Sequence, residues 1–163
     1  MPAHPPSERP ADPAWITAWQ RLSPTITTSG RLTVDDPATL AACGVRSVIN
    51  LALADHPDAL PDEAGRLAAL GLAYRHIPVP FDAPGEDHFA EFVTALATLP
   101  GPVHVHCILN WRVSAFFCRY HRAVMGMPAQ EARALMTVQW DPATTAHPAG
   151  PAWARFIAGG APG

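Results

Sequence analysis

Val103-His104-Val105-His106-Cys107-Ile108-Leu109-Asn110-Trp111-Arg112-Val113-Ser114 reads as a strand that turns into a helix. Val103 and Val105 are β-branched, and no Asp, Glu, Lys or Arg interrupts the run as far as Trp111, which suits a buried strand. Beyond the turn, Val113, Phe116, Phe117, Tyr120 and Val124 recur at i, i+3, i+4, i+7 and i+11, the broad apolar face of a packed helix. Between the two lies a short loop opened by Cys107 and closed by Arg112.

A loop of this kind favours an anion. Its amides and those of the first helical turn have no intrahelical acceptor, and the helix dipole adds partial positive charge. Arg112 adds a planar fork of donors that fits an oxyanion. The same field favours a thiolate at Cys107, because helix N-termini and cationic neighbours lower a cysteine's pKa. A thiolate facing a bound oxyanion is a nucleophile set against an electrophile.

The flanking sequence alternates strands and helices. Residues 14–22 suggest a short helix, with Trp15, Ile16, Trp19 and Leu22 on one face, and 24–29 a first strand rich in Thr and Ile. Asp35 or Asp36 caps a helix with Pro37 in its first turn and Gly44 as its stop. Residues 45–53 form a near-continuously apolar strand, the mark of a sheet covered on both faces. A helix over 62–70, a strand over 72–79 and a strongly amphipathic helix over 86–99 follow, the last with Phe89, Phe92, Val93 and Leu96 on one side. The helix after the cysteine loop runs to residue 125, another covers 128–139, and a short one covers 151–157. This order implies an α/β fold with a mostly parallel sheet of four to five strands between helices, and a ligand beyond the C-terminal ends of the strands. Cys107 stands at that end of the central strand.

Bulk properties narrow the partners. The chain has 163 residues, 48% apolar and 15% charged, enough for one core and one domain over 14–157, with tails at 1–13 and 158–163. The first tail carries five prolines and reads as disordered or extended. All eleven basic residues are arginine, the net charge is −3 and no basic run occurs, which argues against nucleic acid or an anionic membrane as partner. Three cysteines, Cys43, Cys107 and Cys118, make no disulfide framework. No signal peptide or membrane span is visible, so a cytoplasmic protein is expected.

Cysteine preceded by His106 and followed by Arg112 resembles the active-site loop of the cysteine-dependent protein tyrosine and dual-specificity phosphatases. The resemblance is nearest to a bacterial phosphatase-like group and extends from about residue 22 to about 156. It is carried also by Thr27-Thr28-Ser29-Gly30, Gly44-Val45-Arg46-Ser47-Val48-Ile49-Asn50-Leu51, Ile77-Pro78-Val79 and Val113-Ser114-Ala115-Phe116. The chain departs from the pattern in one respect. Four residues separate Cys107 from Arg112, one fewer than in the phosphatase signature and the spacing of the rhodanese sulfurtransferases, and the usual loop glycine is missing. Asn110 is expected to replace that glycine, since asparagine tolerates the left-handed conformation better than other non-glycine residues.

The resemblance implies a cysteine-phosphatase-like three-layer fold and hydrolysis of a phosphoester, phosphotyrosine or another phosphomonoester, through a phosphocysteine, without a cofactor. Cys107 is then the nucleophile. Arg112, with Ile108, Leu109, Asn110, Trp111, Val113 and Ser114, forms the phosphate-binding loop. Ser114 would hydrogen-bond the Cys107 sulfur, and His106 would orient the loop. Asp82, in the loop after the third strand, is the expected proton donor, with Asp87 as runner-up. Each residue also has a structural alternative: Asp82 and Asp87 as helix-terminal acids, His106 as a core histidine, Cys107 as a buried thiol. His104 and His106 share a strand face but lack the further ligands a metal site needs, so no metal is expected. Two other functions stay open. One is a sulfurtransferase carrying a Cys107 persulfide, and the other a non-catalytic module that binds a phosphorylated partner or small oxyanion.

Overall fold

Period-two alternation in the central strands places apolar side chains on two faces at once, and helices cover both. In the computed structural model, which describes residues 10–163, five strands form one sheet in the order β1-β2-β5-β3-β4. They are β1 (Gln20–Ser23), β2 (Ile26–Ser29), β3 (Ser47–Asn50), β4 (Ala73–His76) and β5 (Val103–His106). All pairs are parallel except β1 with β2. Six helices are present among the described residues: α1 (Asp36–Ala42), α2 (Glu63–Ala69), α3 (Glu86–Thr98), α4 (Trp111–Ala123), α5 (Ala129–Thr137) and α6 (Gly150–Ile157).

Adjacent residues of β3 point to opposite cores. Ile49 packs with Val105, with Phe89 and Phe92 of α3, Phe116 of α4, Met136 of α5 and Trp153 of α6. Val48 packs with Leu40 of α1, Leu67 of α2 and Leu72. The result is the expected three-layer arrangement, with α3–α6 on one face and α1 and α2 on the other. On β5 the same alternation sends Val103 and Val105 into the larger core and His104 and His106 to the other side.

The N-terminal region differs from the sequence expectation. Residues 14–18 make turns, and Gln20–Ser23 is a strand rather than the end of a helix. Ala18 takes a left-handed φ of 52° that a helix cannot contain, and Trp15 is exposed. Pairing Gln20 with Thr28 and Arg21 with Thr27 satisfies the backbone along the outer side of β2, which short-range periodicity does not register. The tail expected at 1–13 falls largely outside the described residues. No helix among the described residues is long and apolar enough to cross a membrane.

Candidate active site

β5 ends at His106, and three residues of bend, 108–110, carry the chain into α4. Asn110 is the N-cap of α4 with φ 67° and ψ 7°, the left-handed conformation expected of it. Its side chain does not cap the helix. The amide instead reaches back to donate to Ala18 O (2.9 Å) and Thr28 Oγ1 (3.0 Å), which ties the loop to the start of the sheet. The first α4 hydrogen bond from beyond the loop is Ser114 N–H to Asn110 O, 2.9 Å. The amides of Trp111, Arg112 and Val113 therefore precede every intrahelical acceptor.

The loop is braced on three more sides. Ile108 O accepts the Arg31 amide at 2.9 Å. Gly30 lies so close that an added Cβ would collide with that carbonyl oxygen. Trp111 O accepts both the Trp140 indole N–H (2.9 Å) and the Ser114 hydroxyl (3.1 Å), and the two indoles stack at 4.7 Å and 4°.

A cavity of about 340 Å³ opens over this loop. Cys107, 1% exposed, and Arg112, 7% exposed, both line it, together with Ile108, Leu109 and Trp111. Arg112 is turned inward. Its Nη1 donates to Val79 O at 2.9 Å, and its Cζ lies 5.8 Å from the centre of the Phe81 ring. Phe81 is itself caged by Trp111, Trp140, His147 and Trp153. Leu53, Asp55 and His56 from the loop after β3, with Phe81 and His147, complete the wall.

Other expected site residues lie elsewhere. Asn110 is fully buried behind the loop, and the Ser114 hydroxyl is engaged with Trp111 O. Asp82 and Asp87 are exposed, and neither lines the cavity. Asp55, His56 and His147 were not picked out from the sequence. The loop after β3 was within reach of the rule that ligands sit beyond strand C-termini. His147 was not, because it lies far down the chain from the cysteine loop and meets the cavity wall by packing on Phe81.

Behind the loop, His106 Nδ1 donates to Cys107 O at 3.3 Å, and His106 Nε2 lies 2.6 Å from Glu63 Oε1. Burial alone would raise the Glu63 carboxyl. The contact with His106 and hydrogen bonds from Tyr74 OH (2.5 Å) and Asn50 Nδ2 (2.7 Å) outweigh it and hold the group below its ordinary value. His104 is a satisfied core histidine, held between the hydroxyls of Thr27 (2.9 Å) and Ser29 (2.8 Å). Burial holds its imidazole well below the usual range and therefore neutral. Among the described residues no three His, Cys, Asp or Glu side chains converge as a metal site.

No protein-family model and no curated protein matches the chain. Solved structures do. A DUF442 candidate phosphatase from Shewanella putrefaciens CN-32 is 29% identical, with a TM-score of 0.75 over 89% of this chain and 93% of its own. Pseudomonas aeruginosa TpbA, solved as a cysteine-to-serine variant with phosphotyrosine, is 19% identical, with a TM-score of 0.67 over 92% and 87%. The catalytic core of the Saccharomyces cerevisiae PP-IP phosphatase SIW14 is 10% identical, with a TM-score of 0.71 over 90% and 88%. In fold the chain is similar to these tyrosine- and dual-specificity-phosphatase-like proteins of the cysteine-dependent kind.

Proposed function

We propose that the chain is a cysteine-dependent phosphatase acting on phosphomonoesters. The observation that carries this reading is that Cys107 and Arg112 face one cavity at the junction of β5 and α4. A phosphoryl group seated there would meet the guanidinium and the free amides of the first helical turn. Cys107 attacks phosphorus as a thiolate, and water then hydrolyses the phosphocysteine. No cofactor enters this scheme. Phe81, Trp111, Leu53 and Leu109 give the wall an apolar, partly aromatic character that suits an aryl ester. The phosphotyrosine bound to TpbA is in keeping with such a substrate. A single arginine on the wall and a net charge of −3 disfavour a densely phosphorylated one. Hydrolysis of an aryl phosphate, lost in Cys107→Ser, is the expected result; equal rates would remove the proposal.

One observation favours a second reading. The four-residue interval from Cys107 to Arg112 is the rhodanese spacing. A sulfurtransferase would move sulfur from thiosulfate to cyanide and carry a Cys107 persulfide visible by mass spectrometry. Absence of both removes it. Tight binding of a phosphopeptide without turnover would instead mark a non-catalytic binding module.

A further inference from the structure

The loop expected to carry the proton donor is fastened at several points, and Asp82 within it does not line the cavity. Arg112 holds Val79 O, the Trp153 indole donates to Phe81 O at 2.7 Å, and a turn joins Ala83 N–H to Pro80 O at 3.1 Å. The Phe81 ring fills the cavity wall among four other rings, while its neighbour Asp82 is exposed away from that wall. The histidines at the mouth are poor substitutes. His56 Nδ1 accepts the Asp58 amide and His147 Nδ1 accepts the Ala149 amide, both at 3.0 Å. Each ring thus has one nitrogen committed to the backbone of its own loop.

Asp55 is the acidic residue that lines the cavity with Cys107 and Arg112, and like Asp82 it is exposed. It stands just beyond β3, the strand that pairs with β5, so its loop opens on the same end of the sheet. The backbone on either side is fixed by turns, His56 N–H to Leu53 O (3.3 Å) and Ala59 N–H to His56 O (3.0 Å). We infer that Asp55, in the loop after β3, is the proton donor to the leaving oxygen. The inference rests on the phosphatase reading. As the Cys107 sulfur bonds to phosphorus, the bond from phosphorus to the ester oxygen breaks. That oxygen keeps the electron pair and takes the Asp55 proton. In the second half the Asp55 carboxylate removes a proton from the water that attacks phosphorus. The sulfur–phosphorus bond breaks, and thiolate and carboxylic acid are both restored.

The test is a series of aryl phosphates whose leaving phenols span a range of acidity, hydrolysed by wild type, Asp55→Asn, Asp82→Asn and Asp58→Asn. Protonation matters most for a poor leaving group. Asp55→Asn is expected to lose about 10²–10⁴-fold in kcat on phenyl phosphate, and little on dinitrophenyl phosphate. Asp58→Asn, in the same loop, should keep the wild-type dependence. A wild-type dependence in Asp55→Asn, or the steep one in Asp82→Asn, overturns the assignment while leaving the phosphatase reading intact. A wild type that hydrolyses none of the series, although folded by circular dichroism, removes both.

Discussion

Glu63 Oε1 lies 2.6 Å from His106 Nε2, with both side chains about 5% exposed or less, directly behind the carbonyl of Cys107. Neither atom makes a hydrogen bond, so the two meet as a close polar contact, ionic when His106 is protonated. Such a pair costs desolvation, which its own attraction recovers only when the surrounding groups are also satisfied. Here Asn50 and Tyr74 satisfy the second Glu63 oxygen, and Asn50 Oδ1 accepts the Ala52 amide at 2.8 Å. The network therefore links α2 and β4 to the strand that presents the cysteine.

The sign of its pH dependence follows. Burial raises the Glu63 carboxyl, but the His106 contact and the Tyr74 and Asn50 hydrogen bonds win, so its folded pKa lies below the ordinary value. A depressed carboxyl contributes stability that is present above the unfolded pKa, about 4.3. It is lost as pH falls through the folded value. Unfolding free energy should thus drop as the medium is acidified below about pH 5. Glu63→Gln should be less stable at neutral pH by about 1–3 kcal/mol and should lack that part of the acid dependence. Urea unfolding at pH 7 and pH 4 measures both; parallel pH profiles for the two proteins would contradict the arrangement.

Asn110 combines two demands at one site. Its φ of 67° favours glycine, and its amide holds Ala18 O and Thr28 Oγ1. Asn110→Gly keeps the backbone freedom and loses the hydrogen bonds. Asn110→Ala loses both, at an added cost of about 1 kcal/mol for a left-handed alanine. The expected order of stability by denaturant midpoint is wild type, then glycine, then alanine. An alanine variant at least as stable as the glycine variant would mean that the conformation is not held in solution.

Much of this was legible in the chain. Periodicity located five of the six helices to within two residues of the observed ends, because each has a long apolar face or a clear stop such as Gly44 (φ 90°) or Gly71 (φ 73°). The alternating strand–helix order gave the sheet, and Asn110 gave the loop's left-handed turn. Long-range contacts were not legible. β1 is a strand because β2 offers it a backbone partner, and its side chains carry no strand pattern. The cavity wall is a meeting of loops separated by up to 94 positions, from Leu53 to His147, so no local window contains it. Asp82 stood out by its place in the loop after the strand over 72–79, and only the packing in three dimensions shows that its neighbour Phe81, not Asp82, lines the cavity.

Gly30 meets the cysteine loop backbone to backbone. A methyl group there would strike the Ile108 carbonyl oxygen and come within 3.1 Å of Thr17 Cγ2. The Arg31 amide pins that carbonyl from the same strand end, so it cannot simply rotate away. Gly30→Ala should cost about 1–3 kcal/mol of stability through overpacking. It should also tilt the peptide that joins Ile108 to Leu109 and so reduce turnover even at temperatures where the variant stays folded. Thermal unfolding and aryl phosphate kinetics on the same preparation separate the two effects. Unchanged kinetics in the folded variant would show that the loop absorbs the shift.

Arg112 offers a test of anion binding that does not depend on turnover. Its guanidinium is fixed by Val79 O and faces Phe81, which leaves the rest of the planar fork for a ligand in the cavity. Lysine keeps the positive charge but not the fork, and its flexible stem cannot hold Val79 O and an oxyanion at once. If phosphate binds here, it stabilises the folded protein by an amount set by the ratio of its concentration to its dissociation constant. A tenfold weaker site removes about 1.4 kcal/mol of that stabilisation at saturating phosphate. Wild type should therefore show a phosphate-dependent rise in Tm, and Arg112→Lys should show most of that rise abolished, with Cys107→Ser retaining it because the anion is held by amides and guanidinium. An equal rise in Arg112→Lys would place the bound anion somewhere other than the β5–α4 loop.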